Sequence, residues 1–65
     1  MFFEFQTKKN EPITINVNKI LFITPYRNVT MIIDDQGNEY ETLEKYNSVV
    51  SRLNELKNSK SWQNV

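Results

Sequence analysis

The sequence predicts a small α+β domain: an antiparallel β-meander of about five strands with one C-terminal amphipathic helix packed on the sheet. Three observations carry that expectation. Across residues 2–42 apolar side chains alternate with polar ones at the two-residue period of half-buried strands. The breaks between these runs are short and hold Pro, Asn or the only glycine of the chain. Beyond Leu43 the apolar spacing changes to three and four residues, the period of a helix.

The first strand is Phe2 to Thr7, with Phe3, Phe5 and Thr7 on one face and Phe2, Glu4 and Gln6 on the other. Pro12 cannot donate to a sheet ladder, so Lys8-Lys9-Asn10-Glu11-Pro12 reads as a turn. Ile13, Ile15 and Val17 point inward from a second strand, which Asn18-Lys19 interrupts. Ile20-Leu21-Phe22-Ile23 is a continuous apolar run expected to stop at Thr24-Pro25. Val29, Met31 and Ile33 alternate with Thr30, Ile32 and Asp34. Gly37 supplies the positive φ of a tight turn, and Glu39 to Thr42 completes the meander. Tyr46, Val49, Val50, Leu53 and Leu56 then share one face of a helix placed at 45–58. Residues 1–58 form one domain on this reading, and 59–65 a polar C-terminal tail.

A chain of 65 residues buries only roughly 60% of its unfolded surface, so its core is thin. Small domains compensate with disulfides, metals or self-association. Cys and His are both absent, which removes disulfides and the usual zinc ligands and favours a homo-oligomer. The same absence removes the commonest general base and the thiol nucleophile, and a single glycine excludes a phosphate-cradling loop. Asp34 and Asp35 are adjacent carboxylates, but they fall in a turn that favours Asp and lack calcium-loop spacing. The expectation is a protein that is not an enzyme, with no cofactor and no metal.

No segment reaches the roughly 20 apolar residues of a membrane span. Glu4 interrupts a start that lacks a basic leader region, so a cytoplasmic location is expected. Eight basic and eight acidic side chains cancel, which argues against binding nucleic acid mainly through phosphates. Nine Asn, six Ile and six Lys suit an A/T-rich genome, that of a low-GC bacterium or one of its phages.

Tyr26, Arg27 and Asn28 are the candidate contacts for a ligand or partner, on a loop restrained by Pro25. Tyr26 offers a ring face and a hydroxyl, and Arg27 a planar fork for carboxylate or phosphate. Trp62 is a second candidate, because an exposed Trp in a tail leaves a large apolar surface in water. Phe2, Leu21, Ile23 and Ile32 are expected to form an apolar patch on the sheet face opposite the helix. A second copy would cover that patch.

The stretch from Pro12 to Ile20, then Ile23-Thr24-Pro25, Val29 to Ile33, Gly37, Tyr40 and Val49-Val50, is similar to small flagellar FlbD-like proteins and to phage and bacterial proteins of like length. The resemblance spans about residues 12–56 and implies a sheet plus helix without catalytic residues. The strand, Gly-turn, strand and helix rhythm has a looser similarity to the LytTR-type DNA-binding domain, which implies DNA binding; loops bearing Lys8, Lys9 and Arg27 would separately suit nucleic acid. The expected function is therefore a self-associating binding module that engages a host protein or sequesters a small anionic ligand, as a phage-encoded inhibitor would. DNA binding or a purely structural assembly role is the alternative.

Overall fold

The computed structural model describes residues 1–61, with side chains as far as residue 58. Five strands precede one helix: β1 (Phe2–Gln6), β2 (Pro12–Asn16), β3 (Ile20–Tyr26), β4 (Val29–Asp34), β5 (Glu39–Thr42) and α1 (Tyr46–Ser61). The α+β class, the antiparallel pairing and the C-terminal helix are those expected from the sequence. The helix runs three residues beyond the expected end at residue 58.

The strands form two sheets rather than one meander. β1 and β2 make a hairpin, and β3-β4-β5 make a separate three-stranded sheet. The division falls at a 3-10 turn over Val17–Lys19, where the Asn16 side chain accepts from the Asn18 N–H at 2.9 Å. Asn competes in this way with regular backbone pairing. The chain changes direction there, and β2 pairs with β1 alone. One backbone bond, Lys8 N–H to the Glu41 carbonyl at 2.9 Å, links the end of the hairpin to β5.

The second departure concerns β4. Thr30, Ile32 and Asp34 face inward, while Val29, Met31 and Ile33 lie on the outer face. Ile32, expected on the exposed patch, is 0% exposed and at the centre of the core. Counting apolar side chains favours the other face, three against one. The two buried polar residues are tolerated because both are satisfied. The Thr30 hydroxyl donates to the Glu44 carbonyl at 2.7 Å, and Asp34 accepts from the following turn.

Phe3, Phe5, Ile15, Val17, Ile32, Val49 and Leu53 make the core, so both sheets and the helix contribute. Phe5 meets Tyr40 edge-on at 6.0 Å between ring centroids, which packs the hairpin against β5. Arg52 adds a polar clamp. Its Nε and Nη2 donate to the two Glu44 carboxylate oxygens at 2.9 and 2.7 Å. Nη1 and Nη2 donate to the Glu4 carbonyl, each at 3.1 Å, and the guanidinium lies 4.5 Å from the Phe3 ring centroid. One side chain thereby joins α1, the β5–α1 link and β1.

Truncating Ile32 removes fully buried apolar volume at the centre of the core. Ile32→Ala is expected to cost about 2–5 kcal/mol, a large share of the stability of so small a domain, measured as a fall in the urea midpoint.

Candidate functional site

β3 continues through Thr24-Pro25, where a loop was expected, and pairs with β4 as far as Tyr26 opposite Val29. Pro25 is compatible because β3 is an edge strand, where a missing N–H costs no ladder bond. The connection shrinks to Arg27 and Asn28. Arg27 has φ 55, a left-handed conformation that normally falls to Gly or Asn. A two-residue hairpin demands such a residue, and here an arginine occupies the place.

The tip is exposed. Tyr26 is 49% accessible and carries the Arg27 guanidinium 5.4 Å from its ring centroid, within cation–π range. Among the described residues no carboxylate pairs with Arg27. A cleft of about 340 Å³ lies beneath, lined by Arg27, Asn28, Glu44, Lys45 and Asn47 among others. Folding thus brings the first turn of α1 beside the hairpin, a proximity with no signal in the sequence. Lys45 stands at the start of that turn, its carbonyl accepting from the Val49 N–H at 3.0 Å. Tyr26, Arg27 and Asn28 are brought together; Trp62 lies outside the described residues.

The expected apolar patch is dispersed. Phe2 is 63% exposed and lines a cleft with Arg52, Glu55 and Leu56. Leu21 is 62% exposed and lines a different groove, with Ile23, Val50 and Leu53, while Ile23 packs partly against the core and Ile32 is inside it. In their stead the outer face of the three-stranded sheet carries Phe22 opposite Ile33, Thr24 opposite Met31, and Tyr26 opposite Val29. Phe22, within the continuous apolar run of residues 20–23, is 50% exposed. The missing signal was the register shift between Ile20 and Phe22, which interrupts the alternation along β3.

The acidic groups are engaged structurally. Asp34 Oδ1 accepts from the Gln36 and Asn38 N–H groups, both at 2.9 Å. Its Oδ2 accepts from the Asn38 amide at 3.0 Å and the Tyr40 hydroxyl at 3.3 Å. These donors, the Asn38 side chain foremost, hold the Asp34 carboxyl below its ordinary value. Burial, followed by the Asp34 charge, raises the Tyr40 phenol. Arg52, with help from Ser48, likewise lowers Glu44. A depressed carboxylate is a weak base at neutral pH, so these groups serve the turn and the clamp. Among the described residues no group of three or more acidic side chains is placed to hold a metal ion, and no helix is long and apolar enough to cross a membrane.

Comparison of the chain with protein-family models, curated proteins and solved structures gives no match.

Two outcomes are expected. Replacing Arg27 by Gly relieves the left-handed strain and should raise stability by about 0.5–1 kcal/mol, read from chemical denaturation. Asp34 and Glu44, both depressed when folded, contribute stability that is complete above their ordinary values of 3.8 and 4.5. That contribution is lost as pH falls through the lower folded values. The thermal midpoint should hold from pH 7 to about 5 and drop below about 4, with a shallower acid fall in Arg52→Met, where Glu44 has lost its partner.

Proposed function

We propose that this chain is a small non-enzymatic binding module, cytoplasmic and self-associating, that recognises an anionic group through the Tyr26–Arg27–Asn28 hairpin tip. The observation that carries the reading is the arginine held at a positive φ on an exposed tip, against an exposed aromatic ring and unpaired by any described carboxylate. Strain at a surface position that Gly would relieve is a cost without structural return, and such costs gather at functional sites. Pro25 and the two-residue turn fix the tip before binding, which limits the entropy lost on association. The ligand would be a small anion, or an acidic surface of a host protein, and the module would act by sequestration or inhibition.

DNA binding is the competing reading. Lys8, Lys19 and Arg52 are bridged to Glu41, Asp35 and Glu44, which uses up cations that a phosphate-binding face would need. That pairing favours a compact anionic target over a polyanion.

The test is a native mass spectrum of the untagged protein at low salt, followed by pull-down from a host lysate, with wild type and Arg27→Ala. Excess mass or a retained partner that Arg27→Ala loses, at least tenfold in affinity, is the expected result. Binding that Arg27→Ala leaves intact sinks the site, and retardation of duplex DNA at low salt would move the reading to nucleic acid.

A further inference from the structure

We propose that the open edge of β3 is the surface through which the protein self-associates, pairing antiparallel with β3 of a second copy. The proposal deepens the self-association reading above and rests on it. β3 has a single neighbour, β4, and among the described residues no backbone bond outside that ladder involves Leu21 to Tyr26. An unpaired row of N–H and C=O groups is a template for another strand, and under a two-fold axis it is its own complement.

The register follows from the turn. A two-residue hairpin is closed by a hydrogen-bonded pair, here Tyr26 and Val29, so bonded positions on β3 alternate back from Tyr26. Ile23 and Pro25, opposite Ile32 and Thr30, therefore turn their backbone groups outward. Ile23 offers both a donor and an acceptor, whereas Pro25 offers only its carbonyl. A two-fold axis at Ile23 gives a reciprocal pair of bonds between the two Ile23 residues and ends the ladder at Pro25 on each side.

The side chains agree with that axis. A groove of about 260 Å³ runs between β3 and α1, lined by Ile20, Leu21, Ile23, Val50 and Leu53 and bordered by Tyr46. Leu21, released outward by the register shift beside it, stands on the edge itself. Antiparallel neighbours share a face, so the grooves of the two copies meet beneath the joined strands and each receives apolar side chains of the other. A half-exposed aromatic offers on the order of 100 Å². Leu21, Phe22 and Tyr46, with the partly exposed Ile20, Ile23 and Val50, thus offer roughly 500 Å² per copy against about 800 Å² per partner in a standard interface. Backbone pairing supplements that area, and the expected dimer is micromolar rather than obligate. A second copy is the occupant that brings the complementary edge and the complementary groove together.

Sedimentation velocity across about 1–500 μM should show a monomer–dimer equilibrium for wild type, weakened at least tenfold in Leu21→Lys and unchanged in Tyr26→Ser. Circular dichroism confirms that the exposed substitutions leave the fold in place. Amide hydrogen exchange at Ile23 should slow as wild-type protein is concentrated. A dimer that Leu21→Lys does not weaken, or an Ile23 amide indifferent to concentration, overturns the β3 edge while leaving self-association standing. A wild-type monomer throughout overturns both.

Discussion

The two sheets share no strand, and the ion-paired Arg52, together with the Lys8–Glu41 contacts, supplies the polar links across the resulting gap. Its guanidinium satisfies both oxygens of Glu44, reaches the Glu4 carbonyl and covers the Phe3 ring. An arginine suits the place because a planar fork can take a carboxylate edge-on while its face lies on an aromatic ring. Glu44 is equally occupied: its backbone carbonyl accepts from Thr30 while its carboxylate also takes the Ser48 hydroxyl. The link between β5 and α1 is thereby tied to β4, to the helix and to the hairpin at once. Ile32, Val49 and Leu53 join the hairpin's Phe3, Phe5 and Ile15 and the adjoining Val17 in the apolar core, and the Arg52–Glu44 pair fixes the direction from which the helix arrives.

That direction matters for the hairpin tip. α1 begins beside Arg27 and Asn28 because the Glu44 carbonyl is held by Thr30, one residue past the closing pair of the β3–β4 turn. The short turn leaves Arg27 little backbone freedom, and Tyr26 lies under its charge. A rigid scaffold carrying a strained, exposed cation is an economical arrangement for a chain with no room for a deep pocket.

Much of the fold was legible because periodicity reports it directly. Phe3 and Phe5, Ile15 and Val17, and Val49 and Leu53 lie inside as their spacing requires, and Gly37 takes φ 87 in its turn. The reading failed where polar residues were buried with partners of their own. Thr30 finds Glu44 and Asp34 finds Asn38 and Tyr40, so β4 presents inward the face that a count of apolar side chains rejects. The division into two sheets turned on a single Asn16 side chain capturing a backbone N–H, a local event that leaves the hydrophobic pattern untouched. Of the hairpin tip, the residue types were legible and the geometry was not: nothing in Tyr-Arg-Asn announces a two-residue turn when Gly is missing from it.

The bond from Lys8 N–H to the Glu41 carbonyl, with the Lys8–Glu41 ion pair at 2.7 Å beside it, has a further consequence. It occupies the outer margin of β5, so the three-stranded sheet has one margin engaged and one open. Strands stacked without end require two receptive margins on every unit. A three-stranded sheet receptive on one side alone exhausts itself after a single addition, which counts against stacking of this sheet into fibrils.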